Sequence, residues 1–474
     1  MAGAAFSVTD LFPREAERLR EHAPSVLRLA LKESTGWSDL FYEHTTSRLT
    51  TLRQRVVRER IGPATLGSVH AVRSGIGLRC RTAEHTLYAA STDTSPAGLN
   101  ALATRLEPAG HSPADDGALE DWNWIERGGP VESSAGMIVR DAADAALSIE
   151  PALSEVAVQL HETTRRVLVA TSGGLAILEV RTHVTLRVDV TMGRTRAYAI
   201  DGGAGGRADL LYCNPERVAA EAVARARTLT DARTLPQRQM PVVIAGGWGG
   251  VWLHEAVGHL LEADVLATRS QEPLPALPGQ RIAASGVTLV DHAASPGGRG
   301  SYVYDDEATP GEETVLVEDG VLRGILTDRH HAAKHGLQPT GNGRRQDYRF
   351  PPMPRMTNLI LQPGGAAPEE LIADVGDGLF VAMVGGGHVI PEEDRFTFDV
   401  VEGYRIESGR LTSPVAGVCL SGRASTVLER MAGIGNDLTF DHARGVCVKH
   451  GQAVPVSTGM PTVLLSALDV YPAQ

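Results

Sequence analysis

Residues 242–264 read VVIAGGWGGVWLHEAVGHLLEAD. The first four are apolar and predict a short buried strand. Gly246, Gly247, Gly249 and Gly250 surround Trp248 and predict a tight, close-packed turn. An apolar segment follows that carries His254, Glu255 and His259. Two imidazoles and a carboxylate on one short segment are what a catalytic zinc requires: the rings bind the ion and the carboxylate takes a proton from the water it activates. The spacing is unusual. Histidines at i and i+4 lie about 40° apart on a helix, whereas i and i+5 lie about 140° apart. One ion is reached by both rings only if the helix bulges or breaks between them, and Gly258, directly before His259, makes that distortion cheap.

The whole chain sets limits on this reading. Its 474 residues suggest two or three domains. A hydrophobic share of 42% allows a sizeable core, and 51 glycines beside 5% aromatic residues favour turn-rich β structure over helical bundles. A net charge of -12 argues against nucleic acid as a partner, because phosphate binding needs a basic face. Cys80, Cys213, Cys419 and Cys447 are far apart and form no CxxC pair, which predicts a reduced, cytoplasmic setting. Asp10, Pro13 and several charges occupy the place where a signal peptide has its apolar core. No run of about 18 apolar residues predicts a membrane span, so no membrane partner is expected.

Around the central stretch the pattern predicts an α+β protein: a mixed α/β N-terminal domain over 1–235 and a β-rich metal-binding domain over 236–474. Residues 14–32 read as helical with a break at Pro24 and a second helix capped by Ser25. Leu19, Val26, Leu27, Ala30 and Leu31 are its expected buried positions. Residues 40–90 break into short β segments, with His70 a strand residue. Residues 96–106 and 137–147 read as helices, the first with Leu99, Leu102 and Leu106 on one face. Between them, 115–129 reads as a loop holding Trp122 and Trp124. Val184, Leu186, Val188 and Val190 alternate with polar residues and predict a half-buried strand. Asn214 and Pro215 start a helix to 228. Residues 229–240, with Pro236, carry no apolar period and mark the domain boundary. Further on, hairpins are expected around Asp319-Gly320 and Ser408-Gly409. Residues 341–345 and 351–356, dense in Gly, Pro and Arg, read as an ordered surface loop able to bind a carboxylate or a partner.

Two histidines leave a catalytic zinc one protein ligand short. Cys419, Cys447, other histidines and many carboxylates remain open. Cys447 follows Gly445, which permits close approach, and Lys449 nearby would favour a thiolate. Cys419 lies in an apolar run, and Cys80 and Cys213 read as structural.

The stretch from Gly246 to Asp264 resembles the metal motif of the TldD branch of the TldD/PmbA (TldE) zinc metallopeptidase family. Further blocks agree: Asp305-Asp306-Glu307-Ala308-Thr309-Pro310-Gly311, Pro339-Thr340-Gly341-Asn342-Gly343-Arg344-Arg345, Pro354-Arg355-Met356-Thr357-Asn358, Gly435-Asn436-Asp437 and Gly445-Val446-Cys447. The strong similarity covers about 240–465, and the first half matches loosely, mainly at 75–78. The resemblance implies Zn2+ held by His254, His259 and Cys447, with Glu255 as general base. It also implies a TldE/PmbA-like partner subunit in a heterodimer, and a peptide held extended along a sheet edge. Trp252 and His450 depart from the family pattern, where a smaller aliphatic residue and an acidic residue are common. Two other readings stand beside the peptidase: hydrolysis or tailoring of a small amide-containing metabolite, and a non-catalytic scaffold for a partner. Glu255 counts against the scaffold, because a structural zinc needs no base beside it.

Overall fold

The computed structural model describes residues 14–31, 36–57, 60–81, 86–108, 123–125, 133–204, 214–270, 273–390, 393–441 and 445–473. The chain is an α+β protein. Among the described residues, a nine-stranded antiparallel sheet is built entirely before residue 205. Its long members are β1 (Trp37–Val57), β2 (Thr65–Arg81), β3 (Thr86–Ser91), β4 (Glu155–Thr171), β5 (Ala176–Met192) and β6 (Thr195–Ala204), in the spatial order β3-β2-β1-β4-β5-β6. Over 40–90, where short β segments are expected, the two long strands β1 and β2 dominate, and only Arg60–Ile61 and β3 are short. Pairing is continuous from Trp37↔Arg81 to Arg53↔Thr65, and β1 is paired along its other edge with β4.

One face carries the helices. Leu40, Tyr42, Ile76 and Leu78 pack against α1 (Arg14–Leu31) and α2 (Pro96–Thr104). Val156, Val158, Val188 and Val190 pack against α3 (Ser133–Ile149) and α4 (Pro215–Thr230). α1 runs unbroken through Pro24, against the expected kink. Pro24 is on the exposed side, while Leu19, Ala23, Val26, Leu27 and Ala30 are buried on the other and hold the helix together. Ser25 caps nothing; its hydroxyl donates to the His22 carbonyl at 2.8 Å. α4 starts as its sequence predicts, with Asn214 accepting from the Arg217 N–H at 3.0 Å. Apart from the strand Asn123–Ile125, which pairs with β2, the expected loop with Trp122 and Trp124 lies outside the described residues.

The second half is organised by a ring. β7 (Arg238–Ile244) pairs in parallel with β8 (Asp377–Ile390), which pairs with β9 (Arg395–Glu407) and then β10 (Val418–Arg423). After the hairpin β11 (Val446–Lys449) and β12 (Gln452–Pro455), β13 (Val463–Pro472) pairs with both β10 and β7, so the path closes. Val242, Ile244, Val381, Phe398, Leu420 and Leu465 belong to one apolar core there. Both expected hairpin turns are present. Asp319 and Gly320 have φ of 45° and 78°, and Ser408 and Gly409 have 50° and 74°. Two successive left-handed residues match the twist of the flanking strands.

The stretches 341–345 and 351–356 are not a surface loop. Asn342, Arg344, Arg345, Arg355 and Met356 are all buried. Arg344 and Arg355 donate to backbone carbonyls, whereas Arg345 does meet a carboxylate, but one of the same chain, on the helix-free face of the sheet. Arg345 Nη2 lies 3.3 Å from Asp39, and Asp39 is also 2.6 Å from Arg79, which reaches Glu307 at 2.6 Å. Arg181 donates to Asp306 at 2.7 Å, and the Arg345 N–H donates to the same carboxylate at 2.8 Å. Burial alone would raise the Asp306 pKa; Arg181, Arg165 and Arg345 outweigh it and hold the group well below the usual carboxylate range. Gly75 and Gly77 leave room for Tyr348, which a Cβ on either would strike. Replacing Asp306 by Ala leaves buried guanidinium groups without their counter-ion, so unfolding stability should fall by about 3–5 kcal/mol. An unchanged midpoint in urea unfolding would refute this role.

Candidate metal centre

β7 ends at Ile244, and the chain reverses through a glycine turn in which Gly247 has φ 68°. Trp248 stands in that turn, edge-on to Tyr198 of β6 with ring centroids 6.4 Å apart. The helix α5 (Gly250–Ala256) follows, and its Trp252, Leu253 and Ala256 join the apolar core of the ring. Trp252 lies 6.4 Å from Phe396, so this departure from the family pattern fills core and does not face the metal site.

α5 stops at Ala256. Val257 takes φ -121° and ψ -52°, and a 3-10 turn runs over Gly258–Leu261. This is the break that the five-residue spacing demands. It brings the His254 and His259 rings to a centroid distance of 5.0 Å, nearly perpendicular. Gly258 serves space more than backbone freedom: its φ is not left-handed, and a Cβ there would strike the Met356 thioether.

The third donor arrives from β11. Cys447 and Lys449 point inward and Val446 and Val448 outward, as alternation along a strand requires. Gly445 has no room for a Cβ against the Val456 carbonyl, which is the close approach its sequence suggests. The Cys447 sulfur is 3.2 Å from His259 Nε2. The ligand atoms of His254, His259 and Cys447 lie within 4.8 Å of one another, and they are the one such His/Cys/Asp/Glu group among the described residues. His254 is buried, and neither of its ring nitrogens has a hydrogen-bond partner of normal geometry. The nearby Cys447 sulfur nonetheless raises its pKa against the lowering effect of burial. Burial raises the Cys447 pKa, but His254 and His259 outweigh it and bring the thiol well below its ordinary value. A thiolate with two imidazoles is a borderline-soft donor set, and a buried imidazole with no partner is costly unless an ion occupies the site.

Supporting groups that the sequence did not single out fix this triad. Glu262 accepts from His259 Nδ1 at 2.8 Å, which leaves Nε2 facing the sulfur. Burial works against the Glu262 charge, but Lys449 and His259 hold its pKa well below the carboxylate range. Lys449 Nζ lies 2.7 Å from both Glu262 and Asp264. Its charge thus acts on Glu262, and the histidines, not Lys449, favour the thiolate. Arg355 donates to the Cys447 carbonyl at 2.7 Å and to that of Gln452 at 3.1 Å, pinning the hairpin. The legible signals were Glu262 three residues after His259 and Lys449 on the Cys447 face of its strand. Glu255 is different in kind. Its carboxylate is 3.7 Å from His259 Nε2 and its side chain is 30% exposed, so it faces both the triad and water.

The other cysteines and His70 stay away. Cys80 is in the core under α1 and α2. Cys419 is buried in β10, its thiol pushed up to about 11 by burial and by its bond to Asp399. Cys213 lies outside the described residues, and His70 is a strand residue of β2. The triad's elements open onto a cleft of about 620 Å³ between the sheet and the second half, bordered by Val251 and Val446.

Comparison with known proteins agrees with this layout. Residues 237–471 match the PmbA/TldA metallopeptidase C-terminal domain and 130–230 the central domain of the same family. The chain belongs to the TldD/PmbA family. It is 30% identical over 456 residues to the metalloprotease TldD homolog of Haemophilus influenzae, covering 92% of each chain. It is 35% identical over 233 residues to the zinc metalloprotease TldD homolog of Saccharolobus solfataricus, covering 49% of this chain and 51% of that one. TldE from Thermococcus kodakarensis shares the fold with a TM-score of 0.67 at 16% identity, over 95% of this chain and 99% of that one. No helix of the described residues is long and apolar enough to cross a membrane.

For a TldD/PmbA protein with this geometry, Glu262→Gln should weaken metal affinity by about 10- to 100-fold, because the ring it orients loses its partner. Competition with a chromogenic chelator measures this. Unchanged affinity would remove Glu262 from the site.

Proposed function

We propose that this chain is a zinc-dependent peptidase subunit that hydrolyses extended peptides, working in the cytoplasm with a TldE/PmbA-like partner. The observation that carries the reading is the buried, unpartnered His254 beside a thiolate-prone Cys447, with a water-accessible Glu255 at the edge of the same triad. His254, His259 and Cys447 are the proposed ligands, in a metallopeptidase domain over 236–474 that follows an α/β domain over 1–235. Zinc bound there supplies a Lewis acid and a water whose pKa falls to about 7.

The chain's own groups do the rest. Glu262 and Lys449 hold the His259 ring in one tautomer. Glu255, on the open side, accepts the proton of the attacking water and returns it to the leaving amine. β11 pairs with β12 alone among the described residues, so its outer edge is open beside Cys447 except where Arg355 holds a carbonyl. An extended peptide added along that edge is bound through its backbone, and only an unfolded chain presents one. The TldE/PmbA-like partner rests on the family alone.

Purified protein should hold about one zinc per chain, lost in both Cys447→Ser and His259→Ala. Glu255→Gln should keep the metal and lose turnover of an unstructured peptide by about 100-fold or more. Retained hydrolysis by Glu255→Gln would sink the mechanism, and metal-free wild type would sink the centre itself.

A further inference from the structure

The other deeply buried arginines among the described residues are held in one of two ways. Arg79 has Asp39 and Glu307, Arg181 has Asp306, and Arg345 has Asp39. Arg344 and Arg355 each donate to two backbone carbonyls at 3.1 Å or less. Arg299 has neither arrangement. It is 8% exposed, yet among the described residues it makes no ion pair. Its Nη1 donates to the Thr185 hydroxyl at 2.9 Å and weakly to the Val184 carbonyl at 3.5 Å. Its Nε is buried with no partner, and Nη2 makes no hydrogen bond among the described residues. Asp441 acts on it only at longer range. Leaving a guanidinium out of water without a counter-ion costs several kcal/mol, on the order of what a bound anion would recover.

Its position gives that vacancy of charge a direction. Arg299 lines the cleft that Val251 and Val446 border, and Val446 is the neighbour of Cys447. The floor of the cleft is the helix-free face of the sheet, where Leu49, His161 and Thr185 form one cross-strand row. No Asp or Glu lines it among the described residues, although the chain as a whole carries -12. The other lining arginine, Arg187, is neutralised by Asp189 at 2.6 Å. The backbone around Arg299 is fixed: its N–H donates to Ser457 at 2.8 Å, its carbonyl lies 2.9 Å from His183 Nε2, and Gly300 is packed against Thr357 with no room for a Cβ. The guanidinium is thus held in place with donors to spare.

We propose that Arg299 is the counter-ion for a substrate carboxylate in the cleft beside the metal centre. The hydrolase reading gives this site its peptide substrate: with the scissile bond at the triad, a C-terminal carboxylate or an acidic side chain lies against Arg299. Arg299 is a positioning and specificity residue that leaves the bond-breaking step to Glu255.

Binding tests this without turnover. The zinc-loaded full chain carrying Glu255→Gln is titrated with labelled, unstructured peptides in two matched pairs. One pair differs only in a C-terminal acid or amide; the other, amidated throughout, differs only in Glu or Gln. In one pair the acid should bind about 30-fold tighter, the lower end for a desolvated charge pair. Adding Arg299→Gln should abolish the difference, and Arg299→Lys, which keeps the charge but not the fork, should shrink it. The pair that responds identifies which carboxylate is read. Equal affinities in both pairs, or no binding by any peptide, would overturn the proposal, as would a preference unchanged in Arg299→Gln or Arg299→Lys. Acid-selective binding with no cleavage by the wild type would sink the hydrolase reading and leave this site standing. Cleavage without acid preference would do the reverse.

Discussion

Three carboxylates out of reach of water, Asp39, Asp306 and Glu307, sit where the nine-stranded sheet meets the second half of the chain. Each is tolerable only because arginines surround it, and those arginines come from both sides: Arg79 and Arg181 from the sheet, Arg345 from the segment after Gly343. Breaking such a lattice strands charge in a medium that solvates it poorly, so its two sides cannot slide past one another cheaply. The cleft depends on that constraint. Its floor belongs to β1, β4, β5 and β6 and its opposite wall to α5, β8 and β11. Without a fixed relation between the halves, the triad would have no shaped space in front of it.

A second run of buried charge, Lys449 to Glu262 to His259, works at smaller scale in the same way. Lys449 keeps Glu262 ionised, Glu262 fixes a ring nitrogen, and the opposite nitrogen is left for the metal site. Each member answers the next, so the set is rigid and fully satisfied, the condition under which a buried polar network orients and does not destabilise. Arg299 is the contrast that gives both networks their meaning. The other deeply buried arginines among the described residues are held by a carboxylate or by two backbone carbonyls; Arg299, which has neither and lines the cleft, marks where something from outside belongs.

Much of this was legible in the sequence where one local signal dominated. His254, Glu255 and His259 stood out because residue type and spacing carry the chemistry, and the five-residue interval required the break found at Val257. The two left-handed turns and the Asn214 cap were legible because turn and cap chemistry is local. Cys447, by contrast, is 188 residues from His259; its neighbours Gly445 and Lys449 made it a candidate, and only the family resemblance chose it among the alternatives. Misreadings came where tertiary packing overrides composition. Pro24 should break a helix, yet the buried face of α1 carries it through. Gly343, Arg344 and Arg345 look like a solvated loop by composition. Arg345 is buried against Asp39, 306 positions away, and Arg344 against the carbonyls of Met356 and Pro455, pairings no window of sequence displays.

The ring of strands has a consequence for how the protein is made. β7 leads directly into α5 and the first two donors, but it is stitched into the sheet on one side by β13, which ends at Pro472. Cys447 also emerges late. During synthesis from the N-terminus, the helical sheet layer can fold while the metal segment still waits, its core-facing Trp252 and Leu253 without the walls that will bury them. The proposed hydrolytic centre is complete only once β11 and β13 have docked, so it is silent while the earlier elements emerge. The earlier part of the nascent chain, itself an extended polypeptide of the kind proposed as substrate, is thus made before the proposed activity can exist.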